Sequence, residues 1–149
     1  MIPAERTRVP SWSDWQTLPS AALRCNEAVL AETLDGGQAF RWHRPPRGPW
    51  LGVWAGCAAE VRLTDGSLHW RAPMALAPST STEIARYFAA EQDFTALADT
   101  LPWRSDPHLA RCLEALPGLR ILRQPFGETL LGFLCSATKQ IVQIKQMLA

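Results

Sequence analysis

The sequence predicts an α+β protein: a small antiparallel sheet in the first half, then a run of helices. Three observations carry this. Between residues 38 and 71, short runs of alternating apolar and polar residues are separated by turn residues. After Ala72 the period changes, and apolar residues recur at three- and four-residue spacing. Helix-start signals such as Asp106-Pro107 cluster in the second half. A chain of 149 residues has room for one domain, or one small domain plus part of another. Its hydrophobic content of 47% with mixed charge excludes wholesale disorder.

Taken in order, residues 1–19 read as an extended, mobile arm with Trp12, Trp15 and Leu18 able to pack it onto the body. Residues 21–26 and 29–33 read as short strands. Asp35-Gly36-Gly37 is a tight turn, because glycine adopts positive φ without steric cost. Residues 38–43 then alternate as a strand, with Ala39 and Arg41 on one face and Gln38, Phe40 and Trp42 on the other. Two readings stay open for this stretch. It is a plain hairpin turn, or a place where a ligand approaches bare backbone that no Cβ shields. Residues 44–49 are a Pro/Gly turn, and residues 50–55 and 58–63 read as strands. Asp65-Gly66 signals a hairpin into residues 67–71, with Trp50, Trp54 and Trp70 as sheet anchors.

The helical half opens after a linker over residues 73–78. Thr80-Ser81-Thr82-Glu83 has the capping-box pattern, followed by Ile84, Tyr87 and Phe88 at helical spacing. Asp93 is placed to cap a second helix. Asp106-Pro107 starts a third, with Leu109, Cys112, Leu113 and Leu116 as its apolar face and Pro117-Gly118 as its stop. Residues 126–134 are nearly all apolar, which predicts a helix buried on most sides. A polar break over 136–140 leads to an amphipathic helix on Ile141, Ile144 and Leu148. That helix carries no stop signal. The expectation is the N-terminal part of a longer protein, cut inside a helical domain; a short protein ending in a docked helix is the alternative.

Net charge is +1 overall, but residues 80–102 carry −3 and residues 103–149 carry +3. Cys25, Cys57, Cys112 and Cys135 form no C-x-x-C pair, so free thiols are expected rather than two disulfides. His43, His69 and His108 are isolated, which argues against a metal site, and nothing calls for a cofactor. No apolar run approaches the ~20 residues of a membrane helix. No residue set is sufficient for catalysis, and the only lysines, Lys139 and Lys145, lie in polar or amphipathic settings suited to solvated surface roles.

Three stretches together carry a family resemblance: residues 34–42, with Gly37-Gln38-Ala39-Phe40-Arg41-Trp42; Leu119-Arg120-Ile121-Leu122-Arg123-Gln124-Pro125; and residues 130–141. In content and order they resemble the N-terminal half of the 8-oxoguanine DNA glycosylase/AP lyases of the helix-hairpin-helix superfamily, over residues 18–149. The resemblance implies a sheet domain similar to a TATA-binding-protein repeat over residues 20–78, after the arm. It also implies the opening helices of an all-α glycosylase domain, incomplete, over residues 79–149.

The same resemblance implies that a damaged guanine is flipped out of duplex DNA into a pocket between these parts. The carbonyl of Gly37 would then read the base. Intact guanine has an acceptor at N7, whereas the oxidised base has an N–H there, so a carbonyl favours the lesion. Phe133 matches a pocket aromatic, with ordinary core as the other reading. Ser136, Thr138, Lys139, Gln140 and Gln143 fall where the family contacts DNA. Thr138, Lys139 and Gln140 depart from asparagines that fill the gap left by the flipped base, and Gln143 replaces an arginine. The residues through which the family prefers cytosine opposite the lesion are thus replaced here, and Lys139 is left as a phosphate contact or a solvated lysine. Arg41 and Trp42 are expected to hold the turn, with Gln38 helping to fix the loop.

The catalytic lysine and aspartate of the family fall beyond the position matching Ala149, so no catalytic residue is expected here and residues 1–149 alone should be inactive. The implied partner is double-stranded DNA containing oxidised guanine, bound by a monomer inside the cell, with no membrane. The competing readings are a related glycosylase for alkylated bases and a non-catalytic module binding through a tryptophan-rich face.

Overall fold

The computed structural model describes residues 11–18 and 25–148. Along the chain come β1 (Gln16–Thr17), α1 (Glu27–Asp35), β2 (Trp42–His43), β3 (Trp50–Trp54), β4 (Cys57–Thr64) and β5 (Ser67–Arg71). Then follow α2 (Ala77–Tyr87), α3 (Phe94–Asp99), α4 (Pro107–Ala115), α5 (Phe126–Ser136) and α6 (Ile141–Leu148). The five strands form one antiparallel sheet in the order β1-β5-β4-β3-β2. The α+β class read from the sequence is the class observed.

Two hairpins build the meander. Pairing of Trp54 with Cys57 leaves Ala55-Gly56 as a two-residue loop, and pairing of Thr64 with Ser67 leaves Asp65-Gly66. All four loop residues have positive φ, at 42°, 76°, 51° and 73°, as the turns matching strand twist require. Period two then sorts the side chains. Trp50, Trp54, Cys57, Ala59, Val61, Leu68 and Trp70 are buried on one face, where Leu30, Leu34, Ile84, Tyr87 and Phe88 cover them.

At the centre lies Trp42, only 1% exposed. Its ring stacks on Trp54 at 5.8 Å and meets Phe88 edge-on at 6.0 Å, while its indole N–H donates to the Tyr87 hydroxyl at 2.9 Å. Glycine is needed at position 52 for this packing, because a Cβ there would stand 2.3 Å from the Trp42 ring.

The opposite face is tied down by cations on rings. Arg62 lies 4.0 Å over Trp15, and Arg71, paired with Glu60 at 2.6 Å, lies 4.8 Å from the same ring. Residues 12–17, expected as part of a mobile arm, thus supply the edge strand β1 and a bridge from Trp12 to Pro73.

Four expectations need correction. Residues 29–33 are helix rather than strand: Asn26 Oδ1 accepts from the Val29 N–H at 2.8 Å as an N-cap, and Val29, Leu30, Thr33 and Leu34 are buried at helical spacing. The strand expected over 21–26 falls largely outside the described residues, and its described end, Asn26, is this cap. The run 38–43 pairs only at Trp42–His43, because the Gln38 side chain bonds a distant segment instead of letting the run join the ladder. The capping box at Thr80 is not the start of α2, which begins at Ala77 with proline in its first turn; Thr80 is buried within it, donating to the Ala58 carbonyl at 3.3 Å.

The fourth concerns the apolar helix. α5 forms where expected, yet Gly132 is its one buried residue, and Phe126 is 81% exposed. Its neighbour α6 buries Ile144. Asp93 and Asp106 cap α3 and α4 as the sequence indicates, each accepting two backbone N–H bonds.

Candidate functional site

α1 ends at Asp35, and Gly37 follows with φ of 102°, a conformation that side-chain-bearing residues rarely adopt. A Cβ at that position would come within 3.2 Å of Ile141 Cδ1 on α6. Gly37 lies outside the strand ladder, which begins at Trp42.

The loop after it is fixed by side-chain amide hydrogen bonds across a separation of more than eighty residues. Gln38 Nε2 donates to the Arg120 carbonyl at 2.9 Å, and Gln38 Oε1 accepts from the Leu122 N–H at 3.0 Å. Gln124 Nε2 donates back to the Gln38 carbonyl. One side-chain amide thus satisfies two groups of an extended segment as a strand partner would. That segment is anchored below: Arg120 is buried, its Nη1 donating to the Phe88 carbonyl at 2.8 Å, and the Arg123 N–H donates to the Tyr87 carbonyl at 2.8 Å. Burial pulls the Arg120 guanidinium down from its ordinary value, with Cys25 and Glu91 acting the other way.

Between this loop and α5 is a cavity of about 300 Å³, whose lining includes Gly37, Phe40, Gln124, Glu128, Phe133 and Ser136. Its size is at the lower end of small-molecule sites. The Tyr87 phenol also lines it; burial above all pushes its pKa up to about 12, against the opposing hydrogen bond from Trp42. It is therefore a neutral hydroxyl at ordinary pH. Glu128 Oε1 accepts from the Ala55 N–H at 2.8 Å and pairs with Arg41 Nη1 at 3.2 Å, joining α5 to the β3–β4 hairpin.

Of the residues singled out in the sequence, Gly37, Phe133 and Ser136 are brought together around this cavity. Thr138, Lys139, Gln140 and Gln143 are exposed and are not among its lining. Gln143 Oε1 accepts from the Gln140 N–H at 3.0 Å, closing the start of α6. Lys145 pairs with Asp35 at the end of α1. Gln38 fixes the loop as expected, and Arg41 and Trp42 hold its far end. Sequence reasoning missed Glu128 and Gln124 as wall residues. The available signal was Glu128 itself, the lone charge in an otherwise apolar helix.

Trp42, Trp50, Trp54 and Trp70 are all buried, so they form no tryptophan-rich binding face. Among the described residues no group of three or more His, Cys, Asp or Glu could hold a metal ion, and no helix is long and apolar enough to cross a membrane.

Residues 21–130 match the family model described as the 8-oxoguanine DNA glycosylase N-terminal domain, about three quarters of the chain. The chain belongs to the 8-oxoguanine DNA glycosylase family. It is 26% identical over 145 residues to the N-glycosylase/DNA lyase OGG1 of Arabidopsis thaliana, covering 95% of this chain and 38% of that protein. The Clostridium acetobutylicum 8-oxoguanine glycosylase/lyase in its apo form superposes with a TM-score of 0.67 at 29% identity, over 78% of this chain and 39% of that one. The same enzyme with double-stranded DNA containing cytosine opposite 8-oxoguanine superposes equally well. MBOgg1, solved with a low-affinity DNA ligand, gives a TM-score of 0.70 at 27% identity, over 89% of this chain and 46% of that one. The chain thus spans less than half the length of these glycosylases.

Proposed function

We propose that these residues form the N-terminal part of a glycosylase that removes 8-oxoguanine from duplex DNA and cleaves the resulting abasic strand by β-elimination. The sheet and the opening helices, divided near residue 79, would supply the base-recognition wall. One observation carries this reading: Gly37, at a φ of 102°, shares a cavity of about 300 Å³ with Phe133. A peptide without a side chain faces the same space as an aromatic ring, which suits a planar base read at its edge and stacked on its face. The Gly37 carbonyl is proposed to accept the N7 proton that only the oxidised base carries, worth about 1–3 kcal/mol of discrimination.

Ser136 ends α5, Thr138, Lys139 and Gln140 lie on the α5–α6 connection and Gln143 on the first turn of α6, and we assign them to DNA contact. Lys139, exposed in that connection, suits a phosphate.

The test is Gly37→Ala in the longest form of the protein, with duplexes carrying 8-oxoguanine or guanine at one position. The expected result is loss of most of the preference for the lesion with general DNA affinity kept. Equal loss of both would overturn the backbone-reading role. A companion measurement treats residues 1–149 with borohydride on the lesion duplex. With Lys145 paired to Asp35 and Lys139 solvated, no covalent adduct is expected.

A further inference from the structure

Two of the cavity's walls lie on different elements. Gly37 and Phe40 belong to the loop after α1, whereas Thr129, Leu131, Phe133 and Ser136 all belong to α5. The space between them exists only while α5 is held at a fixed distance from the sheet. Apolar burial does little of this holding, since Gly132, against the Phe40 ring, is the buried residue of the helix.

Glu128 supplies the polar link, and its two partners are arranged to receive it. Arg41 sits one residue before β2 and places its guanidinium at 3.2 Å from Glu128 Oε1. Ala55 is the first loop residue of the β3–β4 hairpin, so its N–H lies outside the ladder and is available to the carboxylate at 2.8 Å. Ala55 also has a φ of 42°, which disfavours an alanine. The matching hairpin position carries Asp65, a residue that tolerates this conformation better.

We propose that Glu128 is a positioning residue: its carboxylate latches α5 to the β3–β4 hairpin through Ala55 and to the loop through Arg41, and so sets the gap between Gly37 and Phe133. This rests on the reading of the cavity as a base pocket for its consequence in recognition, but the latch itself is testable without DNA. Glu128→Ala removes both bonds, whereas Glu128→Gln keeps an oxygen that accepts from the Ala55 N–H and loses the ion pair.

In the 149-residue chain, amide exchange followed by nuclear magnetic resonance should show the Ala55 and α5 amides exchanging about tenfold faster in Glu128→Ala and near the unaltered rate in Glu128→Gln. The sheet amides of β4 should not change in either variant, which separates loss of the latch from loss of the fold. Unchanged Ala55 exchange in Glu128→Ala, or equal damage in the two variants, would overturn the proposal. In the longest form of the protein, the ratio of affinities for lesion and intact duplexes should fall in Glu128→Ala and recover in Glu128→Gln. If the unaltered protein shows no such ratio, the base-reading function fails, while the exchange result still decides the latch.

Discussion

Trp42, bonded to the cavity-lining Tyr87, is 1% exposed, whereas Phe133, in the lining itself, is 70% exposed. The difference separates two regions of the molecule. The sheet with α1 and α2 closes its own core: seven of its inward residues meet Leu30, Leu34, Ile84, Tyr87 and Phe88 with interior-like packing. The α5–α6 region presents Phe126, Leu131, Leu134 and Val142 outward and is joined to the rest by a few specific bonds. Stability therefore resides in the sheet region, whereas the shape of the cavity depends on how the second region is held against the first.

The largest test of that contrast is Trp42→Ala. It removes a buried ring, its stack with Trp54 and the donor to Tyr87, and should lower stability by about 3–5 kcal/mol in urea unfolding. A loss below about 1 kcal/mol would mean that the sheet core is looser than its burial indicates.

Next in size is the alkaline limb. Burial raises the Tyr87 pKa to about 12 from an ordinary value of 10.0. The folded state therefore holds this proton more tightly than the unfolded chain. The contribution is fully present below pH 10 and is lost as pH rises to about 12, amounting to about 2–3 kcal/mol. Unfolding curves of the unaltered protein and Tyr87→Phe should converge or cross over that window; parallel curves would place the phenol in a wetter setting.

The same division marks what was legible in the sequence. Strands β3, β4 and β5 were readable because period-two patterning and Asp65-Gly66 are local signals, and so were the caps of α3 and α4. α1 was misread because Val29, Ala31 and Thr33 also fit a strand; the deciding contact, Asn26 to Val29, is a cap rather than a pattern. Gly37 and Phe133, which the structure brings to one cavity, were singled out through a family motif, not through periodicity. The clamp of Gln38 on Arg120 and Leu122 was not legible, because it joins segments more than eighty residues apart and leaves no local trace. Burial of α5 was over-read for a related reason. An all-apolar helix states that it needs cover, while the cover itself must come from elsewhere.

A smaller effect sharpens the account of the hairpin facing α5. Ala55→Asn keeps the backbone N–H that Glu128 accepts and relieves the left-handed strain of alanine at φ 42°, so stability should rise by about 0.5–1 kcal/mol. A rise in melting temperature with the protection of the residue-55 amide unchanged, after allowance for the intrinsic exchange rate of asparagine, would show that strain and latch are separate properties of the same peptide unit.

The smallest effect on folding bears most directly on the division. Phe133 is 70% exposed on α5, so Phe133→Ala should change the stability of residues 1–149 by no more than about 0.5 kcal/mol. The same substitution removes an aromatic ring from the lining of the cavity that Gly37 shares. In the longest form of the protein, it should weaken binding to a lesion duplex by about 1–3 kcal/mol while leaving the unfolding of residues 1–149 in place. A ring that matters for binding and not for folding is what a recognition surface on a thinly attached helix requires. If Phe133→Ala destabilised the chain as strongly as Trp42→Ala, α5 would be core, and the contrast between the two regions would collapse.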